Sequence, residues 1–105
     1  MSRPKRCRKV WLEPEFTYFK PAGIEIRKLK ETIITVDEVE AIRLKDLEEM
    51  DQESAAKKMD ISQPTFHRLL NEARKKISDA IINGKAIRIE GGTFELTGHC
   101  NRNEK

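Results

Sequence analysis

Between Ser62 and Arg74 the chain reads SQPTFHRLLNEAR, and within it Gln63, Thr65, His67, Arg68 and Asn71 carry side chains able to hydrogen-bond the edges of bases. An arginine can fork onto guanine O6 and N7, a glutamine or asparagine amide can pair with adenine, and a threonine can touch the thymine methyl. The residues between and beyond them, Phe66, Leu69, Leu70, Ala73 and Ile77, recur at helical spacing. One helix would therefore turn an apolar stripe inward and leave the base-reading set outside. The plainer alternative is an amphipathic helix whose polar face is only solvated.

A second set of residues suits phosphate chemistry. Arg3, Lys5, Arg6, Arg8 and Lys9 crowd into the first nine residues, MSRPKRCRK, which contain no core-forming pattern. Such a segment is expected to be a flexible basic arm, lying along a phosphate backbone or entering a minor groove; a solvated tail is the alternative. Arg74, Lys75 and Lys76 lie on or beside the exposed face of the reading helix, where they could grip phosphates or simply hydrate the helix.

These side chains need a frame. Residues 51–82 carry the pattern of two helices meeting at a corner, a helix-turn-helix. Asp51 can cap the first helix, and Ala55 and Ala56 are small enough for a close crossing. Asp60 falls where the corner needs a left-handed residue, Ser62 can cap the second helix, and Pro64 fits its first turn. That helix is expected to continue to the stop signal Asn83-Gly84. Upstream, Thr35 and Glu38 form a capping-box pattern that predicts a helix of about four turns, ending near Glu49.

The flanks read as extended. A short strand is expected at Val10 to Leu12, with Trp11, Phe16, Tyr18 and Phe19 packing over the helices; a stacking patch for unpaired bases is the alternative use of these aromatics. Ile24 to Ile34 fits either a helix or a strand. AIRIEGGTFELT, over 86–97, predicts a hairpin turning at Gly91-Gly92, with Ile89 opposite Phe94 and Arg88 opposite Glu95. The expected fold is mainly α, with three or more helices including the helix-turn-helix, a short N-terminal extended segment and a C-terminal β-hairpin. One domain spans 10–97, between the arm 1–9 and a frayed tail 98–105.

Bulk properties fit a small domain. The chain has 105 residues, 37% of them apolar, and a formal net charge of +3. Residues 1–35 hold 9 basic and 4 acidic side chains, 36–61 hold 4 and 9, and 62–105 hold 8 and 5. Basic segments thus flank an acidic one, whose helices are expected to face away from a polyanion. No apolar run is long enough to span a membrane and no secretory signal pattern is visible, so a soluble cytoplasmic protein is the expectation. Cys7, His99 and Cys100 lack the paired spacing of a zinc site, and no phosphate loop, nucleophile elbow or acid/base pair is present. Neither metal, cofactor nor enzymatic activity is expected.

The segments RPKRCRKV, FTYFKPAGI, TVDEVEAIRLKDLE, the helix-turn-helix and ARKKISDAIINGKAIRIEGG resemble a family of predicted prokaryotic DNA-binding proteins, domain of unknown function 134. The helix-turn-helix is also similar to the promoter-reading last region of bacterial sigma factors. The resemblance implies sequence-specific binding of double-stranded DNA and a role in transcription regulation. An adaptor that touches RNA polymerase through the acidic first helix, with little DNA affinity, is the competing expectation, and a homodimer is compatible with either.

Overall fold

The computed structural model describes residues 7–97. Its elements run β1 (Arg8–Val10), β2 (Tyr18–Phe19), β3 (Glu31–Ile34), α1 (Val36–Ile42), α2 (Gln52–Met59), α3 (Gln63–Asn83), β4 (Ala86–Ile89) and β5 (Phe94–Leu96). The mainly α expectation holds, and the undecided stretch resolves into a short 3-10 turn at Ile26–Lys28 followed by β3.

The helices form where local chemistry directs them. The Thr35 hydroxyl accepts from the Glu38 N–H at 3.4 Å, and the Glu38 carboxylate accepts from the Thr35 N–H at 3.0 Å, so the reciprocal cap relieves two otherwise unpaired donors. α1 runs on through one π-helical turn, Arg43–Leu47, close to the expected end. Asp51 caps α2 through the Ser54 N–H at 3.1 Å, and Asp60 ends it in the left-handed region at φ 62°. Ser62 accepts from the Thr65 N–H at 3.3 Å, and α3 then continues to Gly84, also left-handed.

Where α2 crosses α3 and α1, Ala41, Leu44, Ala55, Ala56, Met59, Phe66 and Leu70 make one buried cluster. Two alanines on α2 set the closeness of that crossing. Ala56→Leu is expected to cost about 1–3 kcal/mol, because the added volume has no space to enter. Ser62→Ala is expected to cost about 1 kcal/mol by leaving an N–H of α3 unpaired. Thermal melts of both variants check this, and two neutral results would contradict the crossing and the cap as described.

The strands depart from expectation. β4 and β5 lie where the hairpin reading put them, but they do not pair with each other. β4 is the centre of a three-stranded sheet, antiparallel to β2 and parallel to β3, while β5 pairs in parallel with β1, Arg8 opposite Phe94 and Val10 opposite Leu96. Both edges of β4 already carry partners, so no backbone groups remain for β5. Arg88 accordingly forks onto Glu31 at 3.0 and 2.7 Å instead of facing Glu95. The Gly91-Gly92 pair serves another purpose: the Gly91 carbonyl accepts from the Val36 N–H at 3.0 Å, satisfying a donor of the first turn of α1. A Cβ on Gly92 would collide with an Asp37 carboxylate oxygen and lie 2.9 Å from the Thr35 Cβ.

Two further expectations are corrected. The N-terminal strand is Arg8–Val10 and not Val10 to Leu12, so Arg8 and Lys9 belong to a strand. Phe16 and Phe19 are 71% and 52% exposed, so they do not seal the helices as expected. Trp11 does meet α2: its indole N–H donates to the Lys58 carbonyl at 2.9 Å, with the Lys58 ammonium over the ring. The expected tail 98–105 lies outside the described residues.

Candidate nucleic-acid interface

The start of α3 presents a polar face whose members are tied to one another. Gln63 occupies the first helical position, exposed, immediately after the cap. The His67 ring is held at both nitrogens, Nδ1 3.2 Å from the Gln52 amide and Nε2 3.0 Å from the Asn71 amide. Both contacts are made by amide nitrogens, and a neutral imidazole accepts at one ring nitrogen only. Gln52, His67 and Asn71 thus form a row across the N-terminal ends of two helices. Gln52 was not singled out in the sequence, although its place just after the Asp51 cap puts it at the α2 end nearest the reading helix.

Arg68 is exposed, and its guanidinium reaches back along the helix to donate to the Thr65 hydroxyl at 3.4 Å. Thr65 is half-buried and its hydroxyl also accepts from Ser62 at 2.9 Å. Thr65 therefore serves the cap as much as the surface, and of its groups the methyl is the one left for contact. Of the five candidates, Gln63, His67, Arg68 and Asn71 are exposed on α3 and Thr65 is half-buried.

The phosphate-binding candidates divide. Lys75 is exposed and has no ion pair among the described residues. Arg74 forks onto Asp46 at 3.1 and 2.6 Å, with both side chains partly in water. Those hydrogen bonds raise the Arg74 pKa and hold the Asp46 carboxyl below its ordinary value. Whatever stability this pair supplies is present above the usual carboxylate range and is lost as pH falls through the lowered value of Asp46. Lys76 instead donates to both Glu38 oxygens at 2.9 and 3.1 Å, and Arg8 donates to Asp37 at 2.7 Å. Both carboxylates are buried, and releasing either cation would strand a buried charge. Lys76 and Arg8 are therefore members of ion pairs within the folded domain. Lys9 is half-buried on β1. Arg3, Lys5 and Arg6 lie outside the described residues.

Arg8 lines an open cleft of about 630 Å³ together with Lys57, Ser62, Gln63 and Thr65, so β1 and the start of α3 border the same cleft.

The acidic middle of the chain divides: Asp46, Glu48, Glu49, Asp51, Glu53 and Asp60 are exposed. Asp37, Glu38 and Glu40 of α1 are buried, and each carboxylate is paired within the domain, Glu40 with Arg43 and Asp37 with Arg8. The first turns of the acidic first helix therefore face inward, while Asp46, Glu48 and Glu49 at its end stay exposed. Among the described residues, no helix is long and apolar enough to cross a membrane, and no cluster of three or more potential metal ligands occurs.

A family model described as protein of unknown function DUF134 matches residues 1–97. The chain is 54% identical over 96 residues to a UPF0251 protein of Thermoanaerobacter pseudethanolicus, covering 91% of this chain and 81% of that one. It is 55% identical over 98 residues to a UPF0251 protein of Caldanaerobacter subterraneus subsp. tengcongensis, covering 93% and 83%. A UPF0251 protein of Dehalococcoides mccartyi is 51% identical over 96 residues, covering 91% and 82%. No solved structure matches the chain.

Proposed function

The chain belongs to the DUF134 family of proteins of unknown function, and from that starting point we propose that it binds double-stranded DNA sequence-specifically and acts as a transcriptional regulator. In this reading α2 and α3 are a helix-turn-helix, similar to that of the last sigma-factor region, and the N-terminal half of α3 enters the major groove. RNA polymerase is a partner that the sigma-like likeness suggests, and the cytoplasm is the compartment where such a protein would work.

One observation carries the reading: Gln63, His67, Arg68 and Asn71 are all exposed on the first turns of one helix, whose opposite side is anchored by Phe66 and Leu70. Four side chains with base-edge chemistry occupy the end of a helix that a groove would admit first. The Asp60 corner and the two alanines supply the close crossing that such a helix pair needs. Selection of bound sites from random duplex DNA is the decisive experiment. Recovery of a common site several base pairs long is expected; a pool with no enriched sequence would reject sequence-specific binding.

Arg68 sharpens the test. If it forks onto a guanine, Arg68→Ala should weaken binding to the selected site by about 1–3 kcal/mol and relax preference at one position. A phosphate contact would instead weaken all sequences alike and make the salt slope shallower by about 1. Affinities of the variant for the selected site and for scrambled DNA distinguish the two, and equal losses on both would transfer base reading to Gln63, His67 or Asn71.

A further inference from the structure

Away from the reading face, two adjoining hollows of about 410 and 350 Å³ share Phe19 and Ile87 as a common wall. Together they make one apolar groove between the three-stranded sheet and the C-terminal half of α3, floored by Ile77 and Ile87. Along it Phe16, Phe19 and Ile81 stand 71%, 52% and 70% exposed. A contiguous apolar patch of several hundred Å² bounded by polar residues is the usual mark of a protein contact. We propose that this groove is a two-fold interface between two copies of this chain.

Two observations point to a second copy as the occupant. The first is charge complementarity of the groove with itself. Glu15 lines one end, in the hollow with Phe16, and Lys20 lines the other, in the hollow with Ile81. Neither is in an ion pair among the described residues; Lys20 donates only to the backbone carbonyls of Pro21 and Ile24. A groove with an acid at one end and a base at the other is complementary to its own image turned through 180°. Each Glu15 then meets the Lys20 of the other copy, twice per dimer.

The second is that no base-reading residue lines either hollow. Two copies could therefore join here and keep both reading helices open. This interface stands independently of DNA binding.

Sedimentation equilibrium of the full chain without DNA, over about 1–100 µM, tests the proposal. A monomer–dimer equilibrium is expected; a monomer throughout, or growth beyond the dimer, overturns it. Glu15→Lys and Lys20→Glu each place like charges at both symmetry-related ends and should weaken the dimer about tenfold, whereas the double variant should restore it to within about threefold. Ile81→Asp, on an exposed helical site, should weaken it at least as much. Circular dichroism of each variant keeps folding separate from association. A dimer indifferent to all of these substitutions uses another face, and singles that weaken without rescue in the double variant overturn the two-fold pairing.

Discussion

Raising the salt from about 50 to 200 mM is expected to weaken binding to duplex DNA roughly 250- to 1,000-fold, following a slope of log K against log salt near −4 to −5 for four to six neutralised phosphates. The tertiary structure limits which side chains can supply that slope. Arg8 and Lys76 are held by the buried carboxylates of Asp37 and Glu38, so moving them to a phosphate would leave a buried charge uncompensated. Arg74 is different: its pair with Asp46 is largely solvated, and exposed pairs of this kind part at little cost. Lys75, Arg68 and Arg74 would therefore be the folded domain's contributors, and Arg3, Lys5 and Arg6 would supply much of the remainder. Removing Met1 to Arg6 should flatten the slope by about 2 to 3 while the melting temperature stays unchanged. An unchanged slope would make those six residues a tail, and absence of binding at about 50 mM salt would reject DNA binding altogether.

The largest effect on stability is expected at Glu40, a side chain that the sequence offered only as one more acidic residue. Its carboxylate is almost wholly buried and accepts three hydrogen bonds: two from the Arg43 guanidinium, both at 2.9 Å, and one from the Trp11 backbone N–H at 2.9 Å. It fixes Arg43 and fastens the chain after β1 onto α1. Glu40→Ala removes both acceptor oxygens and with them all three hydrogen bonds, leaving an N–H without its partner and Arg43 with only the exposed Glu48. A loss of about 3–5 kcal/mol is expected from urea unfolding. Glu40→Gln keeps one acceptor oxygen and the shape, and should lose less. Equal, small losses in both variants would mean that the Trp11 attachment and the ion pair contribute little.

Local signals were read from the sequence where the physics is local. The Thr35–Glu38 capping box, the Asp51 and Ser62 caps, the left-handed Asp60 and the stop at Gly84 each depend on a few neighbouring residues, and each forms as expected. The apolar spacing also told which side of α3 faces inward, with Phe66, Leu70 and Ala73 buried. That orientation is what leaves Gln63, His67, Arg68 and Asn71 outside.

Pairing between distant segments was decided only in three dimensions. A period-2 pattern on either side of Gly91-Gly92 fits a hairpin as well as it fits two strands with separate partners. The choice fell to β2 and β3, which fill both edges of β4 before β5 is reached. The same holds for charge. Arg8, Lys76 and Lys75 look alike as positions in a sequence, and so do Glu40 and Glu49. Asp37 lies 29 residues from Arg8 and Glu38 lies 38 from Lys76, and those separations are bridged by the sheets and the α1–α3 packing. Sequence spacing reports which side chains share a helical face, because that geometry repeats every 3.6 residues. Which charge is neutralised by a partner, and which is left exposed, depends on contacts that no local period records.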